Sequence, residues 1–394
     1  MVPNGWEASS LGECATFRSG GTPSKQRPEF WGGDVPWVSA KDLKTHLICT
    51  AIDRLTEVGA RGAKMAQPDH ILMLVRGMTL LKDVPIGFVT KPVAFNQDLK
   101  ALVANENVNP LFLSYLLVEK KRVMMGLVNT ANHGTGRLDT NLLKALPIDI
   151  PPLPEQRKIA DILSTWDRAI ETSEALLATA RTQKRALMQS LLTGKRRFPE
   201  FEEQEWKIGG LDLLAEIHMG QSPAGSTYNS DGIGSPLLNG PTEFTDRHPV
   251  ARQWTTKPTK MCKDGDVLVC VRGSSTGRMN VADGAYCIGR GIAAVRKRNG
   301  LTDTVYLQQL LHSLVELVLS RAAGSTFPNI DKKSLNALQV HIPTYEAQKR
   351  IGLVLADADD EIDSYVGDIK NLHAEKKALM QQLLTGKRRV NVDA

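Results

Sequence analysis

The chain carries LMQSLLTGKRRF at 187–198 and LMQQLLTGKRRV at 379–390, with ten of twelve residues identical at an offset of 192. In a chain of 394 residues that offset is close to half the length. It is far too long for a solenoid period and marks a duplicated unit of domain size. Carried backward, the match extends over a longer stretch. IPPLPEQRKIADILSTWDRAIE from Ile150 faces IPTYEAQKRIGLVLADADDEID from Ile342. Gln156 stands opposite Gln348, Ile159 opposite Ile351, Leu163 opposite Leu355, and Ile170 opposite Ile362. Any fold for this chain must be built from two similar halves, each ending in the same kind of segment.

Each shared segment reads as one long helix, over 155–193 and 346–384. With spacing alternating four and three, Ile159, Leu163, Trp166, Ile170, Ser173, Leu177, Ala180, Lys184, Leu187 and Leu191 form one ladder. Ile351, Leu355, Ala358, Ile362, Tyr365, Ile369, Leu372, Lys376, Leu379 and Leu383 form the other. Both are heptad seams sustained over four heptads, with a lysine at the same rung. A polar rung weakens a seam but helps fix its register. Gly194 and Gly386 end the helices, and the Lys-Arg-Arg that follows complements the negative helix end. At about 1.5 Å per residue each helix spans about 58 Å. Two unrelated amphipathic surface helices would share neither this register nor the lysine rung. The expectation is an antiparallel coiled coil acting as a spacer.

The stretches ahead of the helices match more loosely. GWEASSLGECATFRSGGTPS from Gly5 runs parallel to EWKIGGLDLLAEIHMGQSPA from Glu205, with Trp6 facing Trp206 and Gly20 facing Gly220. VPWVSAKDL at Val35 faces SPLLNGPTEF at Ser235, and HILMLVRG at His70 faces DVLVCVRG at Asp266. Late in each half, GTGRLD from Gly134 faces GSTFPNID from Gly324. Short β-branched runs broken by Gly, Asn, Asp and Pro indicate a compact α+β domain with a substantial sheet. The anchors are shared while the residues between them differ. The expected division is 1–150 and 199–342 for the variable domains, with 151–198 and 343–394 for the helices and C-terminal tail. The fold class expected is α+β, with two globular domains separated by the paired helices under an internal pseudo-twofold repeat.

Composition narrows the function classes. Hydrophobic residues make up 42%, enough for a core in each half and unlike a disordered chain. No secretory signal pattern opens the sequence, and no apolar run approaches the roughly 18–20 residues a membrane span needs. Cys14, Cys49, Cys262, Cys270 and Cys287 are odd in number and lack CxxC spacing, which reads as reduced thiols in a cytoplasmic protein. A net charge of +6 suits a phosphate-bearing partner, although many non-binding proteins are as basic.

Two variable domains, each followed by a near-identical helix with a PPLPEQRKIA-type start and an LLTGK-type end, resemble the specificity subunit of type I restriction-modification systems (HsdS). The resemblance covers essentially the whole chain. It implies target recognition domains that each read one half of a bipartite, asymmetric site on double-stranded DNA, with the helices setting the gap. It also implies two modification (methyltransferase) subunits docked on the assembly, using S-adenosylmethionine, and restriction subunits completing the nuclease. No cofactor on this chain, no membrane and no catalysis by the chain itself are implied. The second copy departs from the pattern, reading PTYEAQ at Pro343–Gln348. A seam this long is expected to separate two domains by more than one DNA turn, roughly 34–36 Å.

Several strings mimic enzyme sites. Asn109-Pro110-Leu111-Phe112 approaches the Asn-Pro-Pro-aromatic loop of adenine methyltransferases, but Asn then Pro is also an ordinary helix start. Pro68-Asp69 with Asp98-Leu99-Lys100 has the outline of a metal-dependent nuclease, and the second half shows no such acid-x-Lys. TGKRR lacks the earlier glycine and the Ser or Thr of a phosphate-binding loop, and the histidines form no HxxxH or HExxH pair. For DNA contact the polar loops are better candidates: Trp37, Ser39, Lys41, Arg76, Lys82, Gly134, Thr135 and Arg137 in the first half. Asn239, Thr242, Arg272, Ser274, Ser275, Thr276, Arg278, Ser325, Thr326 and Asn329 are the set in the second. Arg, Asn and Lys read base edges, while Ser, Thr and backbone N–H hold phosphates. Any one of them alone is also consistent with a solvated turn. The rival in another class is a duplicated-domain protein-binding scaffold without DNA specificity, distinguished by whether the chain binds duplex with a steep salt dependence.

Overall fold

The computed structural model describes residues 2–130, 134–245, 247–321 and 329–392. The chain divides into two compact units, Met1–Ser173 with Asp368–Ala394, and Glu174–Gly367. The unit boundaries therefore fall inside the long helices. Four helices matter for the argument: α1 (Pro110–Glu119), α2 (Leu153–Leu191), α3 (Thr304–Arg321) and α4 (Tyr345–Leu383).

In the first unit a five-stranded sheet runs in the order Ala15–Ser19, Leu99–Ala104, Ile71–Leu74, Ile86–Val89, Leu47–Ile48. Its centre is Ile71–Leu74, an Ile-Leu-Met-Leu run buried along its whole length, as a strand covered on both faces must be. A four-stranded sheet (Asp53–Leu55, Trp31–Val38, Val93–Phe95, Met65–Ala66) accompanies it. The second unit repeats the plan with Val267–Cys270 as its buried centre, between Ile292–Lys297 and Met279–Val281. In each unit a two-stranded ribbon joins the ends of the sheet region. Glu7–Ser10 pairs antiparallel with Pro147–Ile150, and Lys207–Gly210 with Gln339–Ile342.

The heptad ladder sets what the long helices bury. Across 171–186 the positions that are not exposed are Ser173, Leu177, Ala180 and Lys184. Across 360–378 they are Ile362, Tyr365, Ile369, Leu372 and Lys376. All nine are seam rungs. Within the first unit Ile159, Ala160 and Leu163 of α2 share one core with Met380, Leu383 and Leu384. There Glu155 meets Arg389 and Asp167 meets Lys376, so partner numbers fall as α2 rises and the segments are antiparallel. Within the second unit Leu191, Leu192, Ile351 and Leu355 share a core, and Lys184 meets Asp359. These segments are antiparallel as well, since Arg350 sits over the Phe198 ring, 5.4 Å from its centroid. Both helices begin and end near the expected positions but stop at Leu191 and Leu383, followed by Gly194 at φ +70° and Gly386 at φ +67°. A Cβ on Gly194 would stand 3.0 Å from the Trp206 ring, so glycine is required there by backbone and by space.

The lysine rungs are ionic and have a third member. Lys376 Nζ bonds Asp167, whose other oxygen accepts from the Tyr115 hydroxyl of α1 at 2.5 Å. Lys184 Nζ bonds Asp359, whose other oxygen accepts from Gln309 Nε2 of α3 at 2.7 Å. Each rung thus ties a helix of the preceding globular region, α1 or α3, to the long helices.

Gln156 explains the shared glutamine of the two helix starts. Its side-chain carbonyl accepts from Asn109 N–H at 2.7 Å, and its amide donates to the Asn107 and Pro151 carbonyls at 3.1 and 2.9 Å. Gln348 repeats the pattern with Asp303, Leu301 and Pro343 at 3.0, 3.1 and 3.1 Å. Asn109 caps α1 by accepting from Phe112 N–H, which accounts for the Asn-Pro string as a helix start. Cys262 and Cys270 are buried free thiols, pushed up to about 11 by desolvation and so held unreactive at neutral pH. No helix among the described residues is long and apolar enough to cross a membrane.

Candidate DNA interface

The buried central strand of each sheet ends in the same exposed arginine. In the first unit Arg76 and Gly77 pair antiparallel with Arg137 and Gly136. The close approach depends on Gly136, where a Cβ would stand 2.8 Å from Leu80 Cβ. Arg76 and Arg137 therefore lie directly opposite one another, both exposed. Like charges in facing positions are destabilising by a few tenths to about 1 kcal/mol, and an anion between them removes the penalty. Among the described residues neither has a carboxylate partner. Lys82 is exposed just beyond the adjoining turn, and Gly134 and Thr135 lead into the Arg137 strand. In the second unit the corresponding bridge joins Arg272 to Asn329. The frame is the same, and one of its two arginines has become an amide.

Other candidates are committed within the fold. Trp37 is 4% exposed, packs edge-on against Trp31 at 5.1 Å, and donates its indole N–H to the Gly21 carbonyl. Ser39 donates to Asp42 at 3.0 Å, and Lys41 pairs with Asp53 at 2.8 Å, which raises the lysine pKa. Thr276 is 7% exposed, with its hydroxyl donating to the Gly273 carbonyl. Arg278 turns toward the Pro241 carbonyl at 3.3 Å, and Thr242 donates to Glu243 at 2.7 Å. Ser274 is exposed and Ser275 half-buried. Ser325 and Thr326 lie outside the described residues. Strand-following position alone does not reveal whether a side chain turns out or in, and the tight turns here take up several polar groups.

The second unit also shows what the sequence reading missed. A cavity of about 630 Å³ is lined in part by Ser222, Tyr228, Asn239, Arg272 and Arg290. Arg290 is exposed and has no ion-pair partner among the described residues. Its backbone N–H donates to the Ser222 hydroxyl at 3.2 Å, and Asn239 Nδ2 donates to Gln253 at 3.3 Å. The available signal was the Gly-Arg-Gly string at 289–291, an arginine held between two glycines in a tight turn. Asp98 of the nuclease-like outline is hydrogen-bonded to Asn96, and no group of three or more potential ligands gathers among the described residues.

Comparison with known proteins adds to this geometry. A family model for the type I restriction modification DNA specificity domain matches residues 3–180 and again 203–372. The chain is 32% identical to the putative type I restriction enzyme MjaX specificity subunit of Methanocaldococcus jannaschii, over 99% of this chain and 95% of that one. The EcoR124I/EcoR124II specificity subunit of Escherichia coli is 29% identical over 164 residues, 41% of each chain. A solved chain from work on complex assembly and conformational transition of the type I R-M system is 27% identical, with a TM-score of 0.63. That match covers 98% of this chain and 100% of the other. The S subunit of a type I system from M. genitalium shares the fold at 16% identity and a TM-score of 0.63, over 97% of this chain and 99% of that one. With the specificity-domain model matching once in each half, the chain belongs to the DNA specificity subunits of type I restriction-modification systems, whose part is to recognise DNA and not to catalyse.

Proposed function

We propose that each unit reads one half of a bipartite, asymmetric DNA site, and that the paired helices set the gap between the halves. The observation that carries this reading is the pairing of Arg76 with Arg137 in one unit and Arg272 with Asn329 in the other. A common frame with different side chains suits two half-sites of different sequence. Replacing residues 1–150 with the corresponding domain of a relative, in complex with the modification subunit, tests it. Mapping methylated adenines should show one half of the site changed and the other kept. A change in both halves would mean the units are not independent readers.

Two modification subunits, carrying S-adenosylmethionine, dock on the repeated helix ends in this reading, and restriction subunits join the complex they form. Much of the repeat serves the chain itself. Leu191, Leu192, Leu383 and Leu384 are buried. Arg197 lies over Trp206 and donates to the Gln204 carbonyl at 2.8 Å, while Arg389 lies over Trp6 and grips Glu155 with two bonds of 2.7 Å. Ala347 stands where Glu155 does in the first copy, so the PTYEAQ departure removes the carboxylate and Arg197 takes backbone carbonyls instead. The tail cations exposed in both copies are Lys195, Arg196, Lys387 and Arg388, two matching surfaces for two matching partners. Neutralising these four is expected to stop the modification subunit co-purifying. An intact complex with a salt slope shallower by up to about four would instead assign them to phosphates.

A further inference from the structure

We infer that Gln97 and Arg290, neither of them at a position the sequence marks as equivalent, are the counterpart base readers that make the two half-sites differ. Gln97 takes adenine and Arg290 takes guanine. The inference rests on the reading of two half-sites above.

The equivalence comes from strand register. Val93–Phe95 lies parallel to Trp31–Val38 with Phe95 opposite Val38, and Cys287–Ile288 lies parallel to Ser235–Leu238 with Ile288 opposite Leu238. Asn96 N–H then donates to the Val38 carbonyl at 3.0 Å, and Gly289 N–H donates to the Leu238 carbonyl at 2.8 Å. Two residues on, Val75 N–H reaches the Asp98 carbonyl and Val271 N–H the Gly291 carbonyl, both at 2.9 Å. Gln97 and Arg290 are the single residues between those fixed points. The offset here is 193, against 200 at Val38 and Leu238 and 196 at Val75 and Val271, which hides the match in the sequence.

Both side chains are exposed on a turn beside the strand end that carries an arginine in each unit. Gly289 and Gly291 fit closely against Asn239, where Cβ atoms would approach to 2.7 and 3.1 Å. Ser222 accepts from Arg290 N–H, as noted, so the backbone carrying the guanidinium is held on both sides while the guanidinium itself has no acidic partner. Thr22, the first-unit counterpart of Ser222, donates its hydroxyl to the Gln97 side-chain carbonyl. That bond orients the amide and leaves the second carbonyl lone pair and the NH₂ for a ligand. An amide with one acceptor and one donor side by side matches adenine N6 and N7, and a guanidinium fork matches guanine O6 and N7. A position serving phosphate in both units would be expected to be cationic in both. An amide in one and a guanidinium in the other is the difference that base reading needs.

The test uses the full chain in complex with its modification subunit, with methylated sites mapped for the parent and for Arg290→Gln, Gln97→Arg and Arg290→Lys. A bipartite parent site is expected. Arg290→Gln should exchange guanine for adenine at one position in one half, and Gln97→Arg should do the reverse in the other half. Each shift in base preference should be roughly 10- to 100-fold. Arg290→Lys keeps the charge but loses the two-pronged geometry, so it should relax that one position. An undivided parent site overturns the two-reader reading on which this rests. A bipartite parent site left unchanged by all three variants, with binding weakened evenly across sequences, overturns the inference alone and assigns the pair to phosphate.

Discussion

Replacing Lys376 with methionine is expected to lower stability by about 3 kcal/mol, read as a shift in the urea unfolding transition. The lysine and its partner Asp167 have side chains only 13% and 17% exposed, and methionine fills the space without supplying charge. Asp167 would then keep one partner, the Tyr115 hydroxyl, for a carboxylate withdrawn from water. The matching change at the second rung should cost less, about 1 kcal/mol, because Asp359 is 37% exposed and water can replace the lysine. Combining Lys376→Met with Asp167→Leu and Tyr115→Phe should restore most of the loss, since the penalty lies in the orphaned charge rather than in a missing contact. A Lys376→Met protein as stable as the parent would show that the rung carries no such load.

Acid should weaken the first unit through a neighbour of that rung. His46 stacks on the Tyr115 ring at 4.7 Å, and its Nε2 lies 3.0 Å from the Ser114 hydroxyl. That hydroxyl gives its own proton to the Leu111 carbonyl, so Nε2–H of the histidine is the donor. Burial depresses the His46 pKa to about 4 from an ordinary value of 6.5, with Asp167 opposing and Lys376 and Lys121 reinforcing the shift. A depressed histidine pKa means that the unfolded chain takes up the proton first. The stabilisation is present above pH 6.5 and is lost as pH falls toward about 4, in total about 3 kcal/mol. His46→Phe keeps the stack and removes the proton site. Its stability relative to the parent should therefore improve by about that amount between pH 7 and pH 4. A constant difference across that range would rule out His46 as the titrating group. The two predictions interact, because removing the Lys376 charge relieves part of what depresses His46.

The sequence showed the helices more fully than it showed the interface, for a physical reason. A heptad seam repeats the same requirement ten times, so chance agreement is small, and every rung from Ile159 to Leu191 is buried or half-buried. The lysine rungs could be placed, but their partners could not. Asp167 and Asp359 lie one position off the seam, and Tyr115 and Gln309 come from distant segments whose offset is 194, set by where each helix is capped. Candidate interface residues have no period to betray them. The exposed candidates Arg76, Arg137, Arg272 and Asn329 stood out because they follow buried runs or sit in a shared loop. Trp37 and Thr276 looked the same by that criterion and are inside. Gln97 and Arg290 were hidden because the stretches between shared anchors differ in length, the offset falling from 196 at Val75 and Val271 to 193 at this turn.

The two-stranded ribbons carry a consequence for inheritance. Because Glu7 faces Ile150 and Ser10 faces Pro147, everything between Ser10 and Pro147 enters and leaves through one doorway, as it does between Gly210 and Gln339. A crossover between related genes falling in these paired strands would exchange a whole block while keeping the ribbon's backbone ladder, which depends little on side chains. The block's interior can gain or lose residues at only the slowly growing cost of loop closure. A lineage carrying this chain can therefore acquire a new block in a single recombination event, with no intermediate in which the old one is worn down residue by residue.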